Sequence, residues 1–387
     1  MSIRDQTAVV GIGATPYYKR GKSAPQTMVE LVGKAILGAV EDAGLRISDV
    51  DGFSYFGGGF DTAALMETLG IPEVRFSSGV TGTGGGSAGS VGLASAAIVA
   101  GMGSTIVCVG GLQQAVQRYG TFTLGYEPSA ENAFFLSAGL VGPGHKFAML
   151  ARRHMHIYGT RREAFAEIAV SLRNNALTHS AAIMKKPLTK DDYFNAPMLA
   201  DPHCLFDFCL ESDGAIAAVV TSAERARDLR QPPAYILASV QGGSRDWGRS
   251  LYWMNMPDET FASSGQAFMA RELYAMAGIG PSDVDVAQIY DHFTSQVVMQ
   301  LEDFGFCGKG EGGPFVESGA IRYATGTLPI NTDGGQLSCG YLWGMTHIRE
   351  AVEQIRGTAA NQVEGAKVAL VTGGPASLPV SALLLRK

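Results

Sequence analysis

The sequence predicts an α/β protein made of two halves with the same strand–helix order. Three observations carry this prediction. Short β-branched runs alternate with helix-period apolar stretches over the first hundred residues. A similar order resumes after the Pro232-Pro233 punctuation. Fifty glycines among 387 residues supply tight turns and close helix–strand contacts.

Taken in order, Ala8 to Gly13 reads as the opening strand. Thr27 to Glu41 has helical spacing, with Met28, Leu31, Val32, Ala35, Ile36 and Val40 on one stripe. Asp51 to Phe56 reads as a strand, Thr62 to Leu69 as a short helix, and Arg75 to Val80 as extended. The stretch from Thr81 to Gly89 is glycine-rich and leads into a helix of small residues, Gly86 to Ala100, which reads as central and buried. Ser104 to Gly110 is a buried strand.

Residues 112–205 read as an insertion, with irregular turns, two basic pairs, most of the histidines, and helices at Lys146 to Tyr158 and Thr160 to Ser180. Thr160-Arg161-Arg162-Glu163 fits a capping box at the second helix. Asp213-Gly214 reads as a turn before the strand Ala215 to Val220. In the second half, Ala234 to Val240 is a strand, Thr260 to Ala277 a helix and Val284 to Tyr290 a strand. Thr294 to Phe304 and Trp343 to Arg356 are helices, and Val368 to Thr372 and Val380 to Leu385 close as strands. The division is therefore an N-terminal half over 1–233 and a C-terminal half over 234–387.

Composition excludes some classes of function. A formal net charge of −6 argues against a general nucleic-acid binder, while leaving room for a local basic pocket. Cys108, Cys204, Cys209, Cys307 and Cys339 form no CxxC pair and no metal-ligand spacing, so no metal site is expected and reduced thiols in a cytoplasmic protein are. Met1 to Ala14 does not read as a signal peptide, and no apolar run is long enough to span a membrane.

The chemistry is carried by two tyrosines. Tyr290 lies in Gln288-Ile289-Tyr290-Asp291-His292-Phe293-Thr294, and Tyr341 in Asn331 to Gly344, each beside a turn that follows a strand. A phenol with a reference pKa of about 10 exchanges protons with an alcohol or enolate but is a poor nucleophile at neutral pH. The pair points to carbon–carbon bond chemistry by proton transfer, without a covalent enzyme intermediate. The alternative for each is a buried tyrosine whose hydroxyl meets a backbone carbonyl. Gly84, Gly86 and Gly89 satisfy G-x-G-x-x-G, but Ser104 to Tyr126 contains no acid to bind a ribose, so a nicotinamide site is not expected. His145, expected in the loop before the helix at Lys146, could line a ligand mouth together with Lys146. Arg152, Arg153, Lys185 and Lys186 could meet phosphates. His347 reads as packing and Cys339 as an inert buried thiol.

These residues resemble the thiolase superfamily, in its sterol carrier protein X-like branch, over nearly the whole chain. Tyr290-Asp291-His292-Phe293-Thr294 stands where those thiolases carry His-Asp-Cys-Phe-Ser. Asn331, Gly334, Gly335, Gly340 and Gly344 match their Asn-x-x-Gly-Gly-x-x-x-x-Gly-His-Pro-x-Gly motif. The resemblance implies a thiolase fold: duplicated βαβαβαββ halves in five αβαβα layers, assembled as a homodimer. The departures are informative. The nucleophilic cysteine falls at about Gly86, both motif histidines are tyrosines, and Val371-Thr372-Gly373-Gly374 occupies the C-terminal cysteine position.

This pattern is similar to the thiolase-like aldolases of bacterial steroid side-chain breakdown. It implies retro-aldol cleavage of a β-hydroxyacyl-CoA steroid to a ring ketone and a short acyl-CoA, propionyl-CoA or similar. No cofactor is implied beyond the CoA of the substrate. A small partner with OB-fold and zinc-ribbon-like parts is implied, giving a heterotetramer. Tyr290 is expected as proton acceptor and Tyr341 as donor, with Asp291 or His292 as relay or turn anchor. Backbone N–H groups near Gly86, Gly373 and Gly374 are expected to hold the thioester oxygen. The alternative function is a non-catalytic or decarboxylative thiolase-like acyl-CoA or lipid binder.

Overall fold

A computed structural model describes residues 2–80, 84–114, 130–243, 261–376 and 379–387. The strands in chain order are β1 (Thr7–Ala14), β2 (Tyr18–Lys19), β3 (Gly52–Phe56), β4 (Phe76–Gly79), β5 (Thr105–Leu112) and β6 (Met198–Ala200). They continue as β7 (His203–Cys204), β8 (Ser212–Ser222), β9 (Ala234–Gly242), β10 (Val286–Gln288), β11 (Val368–Gly373) and β12 (Val380–Arg386). One mixed sheet runs β10-β11-β12-β9-β1-β8-β5-β3-β4, with β2 paired to β8, and β6 and β7 form a separate hairpin.

The repeat read from the sequence is visible in strand direction. β3 and β5 are parallel, β5 and β8 antiparallel, and β8 and β1 antiparallel. In the second half, β10 and β11 are parallel, β11 and β12 antiparallel, and β12 and β9 antiparallel. Even the outer strand recurs in reduced form, because β4 lies parallel to β3 and Ile330 makes a parallel bridge to Ala287 of β10. The two halves join through the short antiparallel pairing of Ala8 and Val9 with Tyr235 and Ala234.

Helices cover both faces of the sheet. The Met28–Asp42 helix is capped by Thr27, whose hydroxyl accepts from Glu30 N (3.2 Å) while the Glu30 carboxylate accepts from Thr27 N (2.6 Å). Its Leu31, Val32, Ala35 and Ile36 are fully buried with Val10, Val107 and Val219 of the sheet. Each of these leucine, isoleucine and valine side chains contributes roughly 1.5–3 kcal/mol. The Gly86–Val99 helix packs on strands of both halves, among them β3, β5, β9 and β12. Small residues make that possible. A β-carbon at Gly86 would lie 2.6 Å from the Phe56 ring, at Gly89 2.5 Å from Gln241, and at Gly92 2.1 Å from Ser239. The G-x-G-x-x-G pattern is thus a packing device.

Several boundaries differ from the sequence reading. Thr160 does not cap the following helix. Its hydroxyl bonds His154 Nδ1 (2.8 Å), and the helix begins at Arg162 with Arg161 as an N-cap that makes no side-chain bond. Asp213-Gly214 is not a turn but lies inside β8, where the Asp213 carboxylate accepts from Gly21 N, Ser23 Oγ and Gln114 N. The helix expected from Thr260 begins at Ala267, because Ser264 N and Gln266 N are held by the Asp303 carboxylate; Thr260 itself lies outside the described residues. The helix expected from Trp343 begins at Met345, since Trp343 and Gly344 have φ of 50° and 86°. His145 sits in the first turn of the Pro143–Tyr158 helix, not in the loop before it, and Lys146 is helical as expected. Among the described residues no helix is long and apolar enough to cross a membrane.

The close seat of the Met28–Asp42 helix on β1 gives a test. A β-carbon at Gly13 would lie 2.2 Å from the Ala35 carbonyl oxygen and the Ala39 nitrogen, so the helix must move to admit it. We expect Gly13→Ala to lose about 3 kcal/mol of stability, read as a lower urea midpoint.

Candidate active site

Tyr290 follows β10, and its backbone is held on three sides. Its N–H donates to Thr372 Oγ1 (2.8 Å) on β11, and its carbonyl accepts from Gln300 Nε2 (2.8 Å). Thr372 Oγ1 donates in turn to Gln300 Oε1 (2.6 Å), closing a ring of bonds. The preceding residue, Ile289, is gripped through both backbone groups by Asn331, whose Oδ1 accepts from Ile289 N (2.7 Å) and whose Nδ2 donates to Ile289 O (2.8 Å). The following residue, Asp291, accepts from Gln336 N (2.9 Å) and Leu337 N (3.1 Å). Asn331 has φ of 43°, a left-handed conformation that asparagine tolerates better than most residues.

The same stretch carries Tyr341. Ser212 of β8 fixes it, accepting from Tyr341 N (2.8 Å) and donating to Tyr341 O (2.8 Å). The result is that the hydroxyls of Tyr290 and Tyr341 lie 3.4 Å apart, with both residues buried. The two sequence-predicted residues therefore meet. Burial pushes the Tyr290 phenol well above its ordinary pKa; the Tyr341 hydrogen bond works in the opposite direction, and Cys209 and Asp291 add to the rise.

The remaining predicted residues divide. A β-carbon at Gly84, not Gly86, would strike the Tyr290 hydroxyl, at 2.2 Å; Gly86 instead faces Phe56. Gly373 and Gly374 do reach the site, since added β-carbons there would lie 2.9 Å from Gly84 O and 2.5 Å from Gly85 N. Asp291 anchors a turn, with its carboxylate accepting from backbone N–H groups; His347 Nε2 lies 3.1 Å from Oδ1 without hydrogen-bond alignment. His292 touches Tyr290 through its ring (5.2 Å) and sits edge-on to Phe147 (4.4 Å). Burial first, and the nearby His203 second, lower the His292 pKa to about 3; burial lowers His203 to about 4.

His347 is closer to the site than its sequence position suggested, with its ring 6.1 Å from that of Tyr290. Gln300 and Ser212 carry no sequence signal, and Thr372 and Gly84 lie in stretches that stand out for other reasons. Cys339 is buried as expected. Lys185 Nζ bonds the Ala176 and His179 carbonyls, and Lys186 is exposed. Lys146 is buried with its Nζ over the Phe135 ring. An open cleft of about 540 Å³ lies apart from the phenols, lined by His145, Met149, Arg152, Arg153, His156 and Phe261 among others. It occupies one stripe of the Pro143–Tyr158 helix, whose Phe147 and Leu150 pack with Phe293 beside His292.

A family model described as Thiolase C-terminal domain-like matches residues 249–385. A 17-hydroxy-3-oxo-4-pregnene-20-carboxyl-CoA lyase of Mycobacterium tuberculosis is 38% identical over 98% of this chain and 99% of its own. The chain belongs to the thiolase superfamily, in the branch of this lyase. A steroid side-chain-cleaving aldolase of Thermomonospora curvata is likewise 38% identical, over 98% of this chain and 97% of its own. The solved Ltp2-ChsH2(DUF35) aldolase superposes with a TM-score of 0.91 at 36% identity, over all of this chain and 99% of that one. By name, these thiolase-superfamily relatives are lyases or aldolases.

The neutral histidines beside Tyr290 make a prediction. In the unfolded chain an imidazole takes a proton near pH 6.5. In the folded chain His292 and His203 do so only near 3 and 4. Their contribution to stability is therefore complete above about pH 6.5 and is lost as pH falls through those lower values. We expect the urea midpoint to drop between pH 7 and 4, and His292→Phe to flatten that slope.

Proposed function

We propose that this chain cleaves a steroid β-hydroxyacyl-CoA by retro-aldol scission, with Tyr290 and Tyr341 moving the proton. The observation that carries the reading is the buried pair of phenols 3.4 Å apart, with glycine at positions 84 to 86 where an acyl-accepting side chain would otherwise stand. The name of the Mycobacterium tuberculosis relative describes a 17-hydroxyl β to a thioester carbonyl. In such a compound the hydroxyl proton leaves, C17 becomes a ketone, and the C17–C20 electron pair moves into the thioester enolate. C20 then takes a proton, releasing propionyl-CoA. Protons and electrons balance, so the step needs no redox cofactor.

A phenol raised in pKa does not stand as a phenolate at neutral pH. Tyr290 can still accept the substrate proton if its own passes to Tyr341 as it does so. Tyr341 gives its own hydroxyl proton to C20 in the same concerted relay, so neither phenol becomes an oxonium and the pair begins and ends neutral. Gly373, Gly374 and the first turn at Gly86 supply backbone N–H groups near the phenols for the enolate oxygen. Arg152 and Arg153, in the open cleft, are the cations suited to the CoA phosphates.

We further infer a homodimer joined to a small partner resembling ChsH2(DUF35). Among the described residues the sheet ends at β4, leaving an edge for a second copy. Co-purification with such a partner, sized by light scattering, tests this part.

Incubation with the CoA thioester named for the relative should yield a 17-ketosteroid and propionyl-CoA, detected by mass spectrometry. Tyr290→Phe and Tyr341→Phe should each lower turnover about a hundredfold at unchanged melting temperature, and the double variant little further. Turnover should show no rising limb from phenol ionisation between about pH 6 and 9. Near-wild-type turnover in either single variant removes that residue from the mechanism. Binding without turnover, with the partner present, favours a non-catalytic binder.

A further inference from the structure

Outside the phenol site, the fold gathers three metal-type donors from distant parts of the chain. The His179 ring and the carboxylates of Glu350 and Glu353 each place a ligand atom within 4.8 Å of the other two. His179 follows the Arg162–Thr178 helix, and the two glutamates share a face of the Met345–Arg356 helix. His179 is 4% exposed and Glu350 1%.

A second observation points to a ligand here. Glu350 Oε1 accepts from Thr332 Oγ1 (2.5 Å) and Gln354 Nε2 (3.2 Å), but Oε2 is buried with no hydrogen-bond partner. An unpartnered carboxylate oxygen in a dry interior is costly. The neighbouring cations already have partners, Glu353 itself among them, and none reaches Glu350 Oε2. The Arg349 guanidinium binds Glu353 Oε1 (2.8 Å) and Tyr17 Oη (3.1 Å), and Lys185 binds backbone carbonyls. His179 meets Cys339 Sγ through Nδ1 (3.9 Å), which leaves Nε2 as the nitrogen for a ligand.

We propose that His179, Glu350 and Glu353 bind a divalent transition-metal ion of the zinc class as a structural brace. One imidazole and two carboxylates suit such an ion, with water completing the shell. Metal–donor bonds of roughly 2.0–2.2 Å set donors roughly 3.5 Å apart, so small side-chain rotations close the cluster. The ion would tie the inserted segment to the helix that bonds Thr332, behind the stretch carrying Tyr341.

The test uses the full chain, stripped with chelator and titrated with zinc chloride. Retained zinc is measured by plasma mass spectrometry and stability by thermal unfolding. One zinc per chain and a melting temperature raised by roughly 3 °C or more are expected at saturating zinc. His179→Ala and Glu350→Gln should abolish both effects. Because those residues are buried, the less buried Glu353→Gln serves as a second variant. It should weaken zinc binding at least tenfold while the metal-free protein melts close to wild type. Wild-type protein that retains no zinc, or variants that retain it equally, would overturn the proposal. So would a gain in stability from Glu350→Gln with no zinc uptake by the wild type, which would assign Oε2 to a proton.

Discussion

The grip of one loop on the two residues beside Tyr290 is the constraint on which the site depends. Asn331 holds Ile289 through both backbone groups, and Asp291 holds Gln336 and Leu337. These bonds run in both directions between two segments far apart in sequence. They leave Tyr290 no independent freedom relative to Tyr341, which Ser212 anchors from β8. A 3.4 Å separation between two flexible phenols would not survive ordinary side-chain motion if either backbone could shift. The polar groups that do the holding are buried and paired, which makes the arrangement rigid as well as specific.

The surroundings then set the chemical character of the pair. Asp291 is the anion nearest in sequence, and its oxygens are committed to backbone N–H groups. His292 is neutral and packed among Phe147 and Phe293, so it acts on Tyr290 through contact and exclusion of water. A dry setting with Asp291 as the nearby anion favours neutral phenols over phenolates. It is the regime that the proposed scission of a β-hydroxy thioester would require, with an alcohol proton leaving and an enolate carbon gaining one.

Much of the architecture was legible in local pattern. The apolar stripe from Leu31 to Val40 and the small-residue helix after the glycines act through near neighbours, and each stands where the pattern put it. Expectations failed where distant partners outbid local ones. Thr160 answers to His154 and not to its own helix, and Asp213 stays in a strand because Gly21, Ser23 and Gln114 bond its carboxylate there. Within the site, the two tyrosines stood out only through the family motif. Thr372, Gln300 and Ser212, which hold them, resemble any other polar residue until the fold brings them together. The identity of the glycine facing the phenol, Gly84 and not Gly86, depends on where the helix starts and which way each Cα points.

That glycine has an evolutionary consequence. Position 84 and the ring at position 290 claim the same volume, so a methyl group at one and a phenol at the other exclude each other. Neither change is neutral in the background of the other, which is sign epistasis written in van der Waals radii. A lineage moving between a side chain at 84 and a phenol at 290 must empty the space before refilling it. The order of those two steps is dictated by geometry, whatever selection favours.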